Sequence, residues 1–140
     1  MKYRIIISIV AIFALLCPSC SCHKEKQIDS PYLDETEINI RVKGRYVFKY
    51  DPLTCQYSYN PDYRTFRCFT DNASDYFNVM MKSAPKKEGE YINADLVYTK
   101  GTGVSSNKSL KFKVVKKDDS GKVWLWNSKS DIALCIQLVD

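Results

Sequence analysis

The chain has 140 residues, of which 45% are hydrophobic and 26% are charged. This length allows one domain, and the composition is that of a globular chain rather than a disordered or collagenous one. The formal net charge is +5, and setting aside Lys2 and Arg4 of the N-terminal segment leaves 19 basic against 16 acidic residues. Such a mild excess argues against a nucleic-acid reader, which concentrates positive charge on one face.

The N-terminus reads as a secretion signal. Lys2 and Arg4 precede twelve uncharged residues, Ile5 to Leu16. This apolar run has the length of a signal peptide and is too short to span a bilayer. Small residues and cysteines follow at once, so the sequence predicts a signal peptide over residues 1–19.

Two serine-cysteine steps follow the apolar run, Ser19-Cys20 and Ser21-Cys22. They resemble a relaxed bacterial lipobox, which implies that a cysteine sulfur receives the lipid. Cys20 lies closer to the apolar run and is the predicted lipidation site, with Cys22 as the alternative. Acyl chains on that sulfur would hold the protein to a membrane. A plain secretory signal with spare cysteines is the competing interpretation.

Residues 20–36 are polar and lack an apolar period, so we expect the lipidated cysteine to be followed by a flexible tether. The run from Cys22 to Lys26 resembles the charged export tag of surface lipoproteins from gut-dwelling Gram-negative anaerobes. The whole chain is similar to the small lipoproteins of these bacteria, mainly over residues 1–26. This resemblance implies an outer-membrane lipoprotein of the cell envelope, and the sequence leaves open whether the domain is exposed at the cell surface or faces the periplasm.

Residues 37–140 are predicted to form a β domain. From Ile38 to Tyr50 apolar residues alternate with polar ones, most of them charged, which predicts one strand with a solvated face and a bulge or close packing at Gly44. A hairpin is predicted next, from Thr54–Tyr59 and Arg64–Phe69. If Tyr59 pairs with Arg64, Cys55 lies opposite Cys68, and an exported protein could bridge them. Two buried thiols are the alternative.

The rest of the domain shows further alternating segments separated by turn signals. Tyr76–Met81 is predicted as a strand, with a short helix as the alternative, and residues 100–109 as a loop. The other predicted strands are Tyr91–Thr99, Leu110–Val115, Val123–Trp126 and Ile132–Val139. About seven to eight short strands predict an all-β fold, an antiparallel β-sandwich or alternatively a small closed β-barrel.

Catalytic chemistry finds little support in the sequence. The single histidine, His23, precedes the domain, so no histidine-based catalytic or metal site is predicted there. Carboxylate pairs at Asp71 with Asp75 and at Asp118 with Asp119 could serve glycoside hydrolysis, but both lie in turns, where aspartate is common for backbone reasons. Residues 71–75 also offer oxygen ligands for calcium, yet they fit an Asx turn better. We therefore predict a protein that is not an enzyme and has no cofactor and no metal.

Aromatic residues suggest binding. Trp124 and Trp126 project from one face of the same predicted strand, and exposed coplanar rings stack on sugars, although tryptophan in a small β domain more often fills the core. We expect a lipid-anchored, non-catalytic module for a glycan or host-derived ligand, with contacts from Trp124, Trp126, Tyr57, Tyr59 and Tyr63. Lysines near Lys111 could meet an acidic glycan or phospholipid headgroups, or simply guard an edge strand. The alternative is an accessory lipoprotein that binds another envelope protein through an edge strand.

Overall fold

The computed structural model describes Leu33 and residues 36–138. The predicted signal peptide, the candidate lipidation sites Cys20 and Cys22, and nearly all of the tether lie outside these residues. Within the described part, the regular structure consists of nine β-strands. They are β1 (Asn39–Val42), β2 (Arg45–Lys49), β3 (Cys55–Asn60), β4 (Thr65–Thr70), β5 (Tyr76–Met81), β6 (Tyr91–Lys100), β7 (Gly103–Lys117), β8 (Lys122–Asn127) and β9 (Ile132–Gln137). The all-β prediction is confirmed.

All nine strands belong to one antiparallel sheet, in the order β2-β1-β9-β8-β7-β6-β5-β4-β3. The predicted sandwich of seven to eight strands is therefore wrong: the last strand, β9, pairs with β1 and extends the same sheet instead of starting a second one. Each strand from β3 to β9 lies beside its neighbour in sequence, as expected for short antiparallel connections.

The sheet curls into a half-barrel whose two edges are β2 and β3, and no ladder joins these two strands. Side chains pack across the open side instead. The ring centroid of Phe48 on β2 lies 5.5 Å from that of Phe77 on β5. Tyr50, just after β2, lies 5.3 Å from Tyr57 on β3 by the same measure. The inner face is thus covered without hydrogen bonds between the two edges, and the described residues form an open half-barrel rather than the closed barrel given as the alternative.

The predicted single strand from Ile38 to Tyr50 is instead a hairpin. Lys43 and Gly44 both have positive φ, 54° and 81°, and make a two-residue turn between β1 and β2. Both positions of a type I′ turn require this conformation, which glycine adopts at little cost. The register shifts between Ile40 and Arg41, so that Phe48 faces the core while Tyr46 lies opposite Arg41. This irregularity preserved the apparent alternation along the segment and concealed the turn.

The hairpin of β3 and β4 forms, but in a different register from the one predicted. Tyr59 lies opposite Phe66, and Cys55 lies opposite Thr70. The shift arises because Arg64, with φ at 51°, belongs to the turn rather than to the strand. Cys55 and Cys68 are consequently diagonal neighbours on one face, and both are buried free thiols. The direct opposition on which the predicted bridge depended is wrong.

The loop predicted over residues 100–109 is largely strand. Strand β7 begins at Gly103, and Val104 to Asn107 pair with the end of β6. The ladder is interrupted only around Asp95, whose Oδ1 accepts a hydrogen bond from the Ser109 backbone NH at 2.8 Å. Few residues of this polar segment are buried, so it lacks the alternation that marks a strand in the sequence.

The core lies on the inner face of the curled sheet. Strands β5 and β6 show strict alternation, with Phe77, Val79 and Leu96 fully buried. Strands β8 and β9 differ, because nearly every residue in them is buried on both faces. Val123 and Leu125 belong to the main core cluster. Trp124 and Trp126 alternate with them and therefore project from the opposite, outer face.

Candidate functional site

A cleft of about 790 Å³ lies along the open side of the sheet. This volume falls within the range of ligand sites in proteins. One wall is the turn of the first hairpin together with β2, and the other is formed by the ends of β3, β4 and β6. The lining residues are Val42, Lys43, Arg45, Tyr46, Val47, Phe48, Lys49, Asp51, Thr54, Cys55, Thr70, Asp75, Tyr98, Thr99, Lys100 and Gly101.

The cleft exists because two edge strands leave a gap that side chains only partly fill. Phe48, Cys55 and Tyr98 are buried and supply an apolar base. The turn that carries Lys43 is tied to the loop before β9, since the Lys43 backbone NH donates to the Asp131 carbonyl at 2.8 Å. This bond and the β1–β2 ladder hold one wall of the cleft on the rigid sheet.

Positive charge predominates among the cleft side chains. Four cationic side chains line it, Lys43, Arg45, Lys49 and Lys100, against two carboxylates, Asp51 and Asp75. All six residues are solvent-exposed. Exposed cations keep most of their hydration, so each interacts weakly with a partner by itself, and several together create a favourable potential for an anion.

The ring of Tyr46 contacts two cationic side chains, those of Arg41 and Lys49. The guanidinium carbon of Arg41 lies 4.2 Å from the centre of the Tyr46 ring, and Nζ of Lys49 lies 4.9 Å from it. Arg41 Nη2 also donates a hydrogen bond to the Tyr46 hydroxyl. Contacts of a cation with an aromatic ring restrict the long side chain without neutralising its charge. Lys49 is thus held at the cleft with its charge retained.

Hydroxyl groups and one carboxylate line the opposite wall. Thr99 Oγ1 donates to Asp75 Oδ1 at 3.2 Å, and the Tyr76 backbone NH donates to Thr99 Oγ1 at 3.2 Å. Thr70 Oγ1 accepts from the Asp75 backbone NH at 3.2 Å. The turn between β4 and β5 and the end of β6 are therefore joined by side-chain hydrogen bonds, and Asp75 has a defined position.

Of the carboxylates considered for hydrolysis, Asp71 accepts a hydrogen bond from Gln56 on β3 and Asp75 accepts one from Thr99 on β6, whereas Asp118 stabilises its own turn. Asp118 Oδ1 accepts hydrogen bonds from the Ser120 hydroxyl at 2.7 Å and from the Lys122 backbone NH at 3.0 Å. These bonds, that of the Ser120 hydroxyl first, lower the pKa of Asp118. In the other turn, Asn72 Oδ1 accepts from the Ser74 backbone NH at 3.1 Å, the hydrogen bond of an Asx turn. The described residues contain no group of three or more side chains arranged to hold a metal ion.

The aromatic residues proposed as ligand contacts do not form one surface. Trp124 and Trp126 are only 4% and 9% exposed and lie on the outer face of β8. Nζ of Lys116 sits 4.8 Å from the Trp124 ring centre, and Trp126 Nε1 donates to Asp131 Oδ1 at 3.4 Å. Neither ring offers a free face for stacking.

The three candidate tyrosines lie at the opposite edge of the sheet, on β3 or in the turn that follows it. Tyr57 is 40% exposed on β3, Tyr63 is 74% exposed in the β3–β4 turn, and Tyr59 is half-buried against the core. Tyr57 packs between Tyr50 and Phe66, with ring centroids 5.3 and 6.1 Å away. Of these three tyrosines, Tyr57 and Tyr63 thus retain the most exposed ring surface.

Sequence reasoning missed the cleft residues. In the sequence, Lys43, Arg45 and Lys49 fit the solvated face of one predicted strand, and Lys100 falls in a predicted loop. The Lys43-Gly44 step was the available signal, because a residue that tolerates positive φ followed by glycine favours a two-residue hairpin turn. Recognising it would have placed the three cations around a turn and an edge strand.

Comparison of the chain with protein-family models, with curated proteins and with solved structures gave no match. Across residue 33 and residues 36–138, no helix has the length and apolar character needed to cross a membrane.

Proposed function

We propose that this protein is a lipid-anchored, non-catalytic binding module of the cell envelope that takes an anionic glycan into the cleft along its open side. The observation that carries the proposal is the cleft itself, with four cationic side chains around an apolar base. The signal peptide over residues 1–19 and lipidation at Cys20, or alternatively Cys22, supply the envelope location.

The cleft chemistry suits a carboxylated sugar. Lysine and arginine donate charge-assisted hydrogen bonds to carboxylates. The hydroxyls of Thr54, Thr70 and Thr99 and the carboxylate of Asp75 can exchange hydrogen bonds with sugar hydroxyls. A site with few fixed polar groups over an apolar base is typical of ligand binding in general. The cleft binds its ligand in this proposal without transforming it.

The proposed binding site does not include the two tryptophans, Trp124 and Trp126. Trp124 and Trp126 are too buried on the outer face to stack on a sugar as they lie. Tyr57 and Tyr63 stay candidates for a further aromatic contact, since their rings are exposed on and beside β3. Tyr59 packs against the core and has less surface to offer.

The test is a titration of the full chain with a short oligomer of galacturonic acid, with the neutral galactose oligomer as the ligand control. The double variant Arg45→Gln with Lys49→Gln removes two cleft cations. Lys108→Gln with Lys129→Gln removes the same charge from exposed positions outside the cleft. We expect the cleft variant to lose about 10-fold in affinity, about 3-fold for each of the two exposed charges, and the control to lose little. Equal losses in both variants, or equal affinity for the neutral oligomer, would contradict the proposal.

A further inference from the structure

A second, smaller cavity adjoins the cleft at the turn between β4 and β5, and we call it the side cavity. It has a volume of about 350 Å³ and is lined by Thr54, Thr70, Asp71, Asn72 and Ser74. Thr54 and Thr70 also line the cleft, so these two threonines form the boundary between the two cavities. The volume lies at the small end of the range for ligand sites, which suits one unit of a larger ligand.

The two cavities differ in charge. The four cationic side chains described above, on Lys43, Arg45, Lys49 and Lys100, all line the cleft. The residues that line the side cavity carry three hydroxyl groups, one amide and one carboxylate, that of Asp71. An anionic group is therefore attracted to the cleft and meets a like charge in the side cavity, where an uncharged polar group is favoured instead.

Hydrogen bonds hold the lining of the side cavity in place. The Asp71 backbone NH donates to the Thr54 carbonyl at 2.8 Å and joins the β4–β5 turn to the start of β3. Thr70 Oγ1 donates to Asn72 Oδ1 at 2.9 Å, and Gln56 Nε2 donates to Asp71 Oδ1 at 3.1 Å. Because these bonds fix the polar groups before a ligand arrives, binding requires little further ordering of the protein.

The chemistry of these groups matches a sugar ring without a formal charge. The hydroxyls of Thr54 and Ser74 can donate and accept hydrogen bonds, the Asn72 amide nitrogen can donate, and the Asp71 carboxylate can accept. A sugar hydroxyl also donates and accepts, so a ring with several hydroxyls can pair with several of these groups. A neutral ring avoids the repulsion that a sugar carboxylate would meet from Asp71.

We propose that the side cavity binds a neutral sugar unit joined to the acidic sugar in the cleft, so that the protein selects glycans in which acidic and neutral sugars are neighbours. The inference rests on the proposed function, because the cleft supplies the site for the acid. The next unit along the glycan then crosses the boundary formed by Thr54 and Thr70. Asp71 determines the specificity of this second position, since its charge opposes a second acidic unit there.

The first test is a nuclear magnetic resonance titration of the full chain with galacturonic acid, its dimer, and two mixed disaccharides of galacturonic acid and galactose, one in each order. We expect the better mixed disaccharide to bind about 3-fold more tightly than the dimer. Asp71→Asn keeps an acceptor oxygen for Gln56 and removes the charge, so it should abolish this preference by tightening the dimer. Asp119→Asn, an equal change at an exposed position outside both cavities, should keep the preference.

The second test fills the side cavity. Ser74→Tyr keeps the backbone NH that donates to Asn72 Oδ1 and places a ring in the cavity. It should weaken the mixed disaccharide at least 3-fold, the equivalent of a lost hydrogen bond, and leave galacturonic acid alone unchanged. Ser128→Tyr, at an exposed position outside both cavities, should affect neither ligand. Near-ultraviolet circular dichroism checks that each variant is folded.

The outcomes separate this inference from the proposed function. Equal affinity of the wild type for the dimer and both mixed disaccharides would overturn the inference alone, as long as galacturonic acid still binds. So would a preference that Asp71→Asn leaves intact, or a mixed disaccharide whose affinity Ser74→Tyr does not change. Failure of galacturonic acid and of its dimer to bind the wild type would overturn the inference and the proposed function together.

Discussion

Phe48 and Phe77 meet edge to face across the open side of the sheet, with ring centroids 5.5 Å apart and ring planes at 63°. One ring comes from the edge strand β2 and the other from β5, and no backbone ladder connects these two parts of the sheet directly. The contact therefore stabilises the curl of the sheet, and Phe48 is also one of the residues that line the cleft.

Phe48→Ala is expected to lower the free energy of unfolding by about 3–4 kcal/mol, the cost of deleting a buried aromatic ring. The reason is that both the ring contact and the cover of the inner face are lost. Chemical denaturation measures the change. Tyr63→Ala removes an aromatic ring that is 74% exposed and should cost less than about 0.5 kcal/mol. Similar costs for the two variants would mean that Phe48 does not close the sheet.

Gly44→Ala should destabilise the first hairpin by about 1–2 kcal/mol, because alanine is strained at the φ of 81° found there. Gly103→Ala is the matched control: its added Cβ meets only the Lys100 carbonyl oxygen, at 3.8 Å, an ordinary contact. Thermal unfolding of both variants tests the turn. If both variants have the melting temperature of the wild type, Gly44 does not need positive φ and the hairpin turn is wrong.

These residues also show what the sequence could and could not predict. Strands β4, β5 and β6 were predictable because buried apolar residues alternate with more exposed ones, and β9 because it is a short apolar run that follows turn residues. The β1–β2 turn was not predictable from alternation, because the register shift between Ile40 and Arg41 keeps the apolar residues of both strands at alternate positions. The start of β7 was not predictable either, because it is polar and shows no alternation of buried and exposed residues. The pairing of β9 with β1 joins segments that are far apart in the sequence, so the local pattern of residues does not predict it. The cleft follows from that pairing, since Lys100 meets β2 only once the sheet has curled.

Cys68 should react slowly with iodoacetamide at pH 8 in the folded protein. Burial, and then the neighbouring Cys55, raise the pKa of Cys68 to about 12. Against the ordinary value of 9.0, the reactive thiolate is about 1,000-fold rarer. Labelling and intact mass of the isolated protein measure this reactivity, and unfolding should make the thiol react quickly. A peptide joining Cys55 to Cys68 in a non-reducing digest, lighter by about 2 Da than its two reduced parts, would show instead that these two cysteines are bridged.

The raised pKa of Cys68 also makes the free energy of unfolding depend on pH in the alkaline range. The raised pKa means that folded Cys68 keeps its proton while the unfolded chain releases one above its ordinary pKa of 9.0. Stability from this group is therefore fully present below pH 9.0 and is lost as the pH rises toward about 12. Cys68→Ala should show a shallower decline of unfolding free energy over this range. An unchanged slope would show that the thiol does not titrate as stated.

Asp118 should make the free energy of unfolding fall as the pH is lowered through the acidic range. The hydrogen bond from the Ser120 hydroxyl, first among its causes, lowers its pKa below the ordinary 3.8. Its contribution is present above pH 3.8 and is lost as the pH falls through the lowered pKa. Asp118→Asn should therefore melt below the wild type at pH 7, with the difference shrinking in acid. Asp119→Asn, at the exposed neighbouring position, should melt like the wild type at both pH values.

Asp75→Asn should tighten the binding of an anionic ligand to the cleft. Asp75 is one of two carboxylates there, and its Oδ1 accepts a hydrogen bond from Thr99 Oγ1 at 3.2 Å. Asparagine keeps an acceptor oxygen for Thr99 and removes the negative charge, so the wall should hold its shape while repulsion of the ligand falls. An exposed charge of this kind changes affinity by about 2- to 5-fold, and the gain should fade as salt screens the charges. The galacturonic acid oligomer at low and high salt provides the measurement, with Asp119→Asn as a control of equal charge. Weaker binding by Asp75→Asn would mean that the carboxylate holds the sugar hydroxyls rather than repelling the sugar acid.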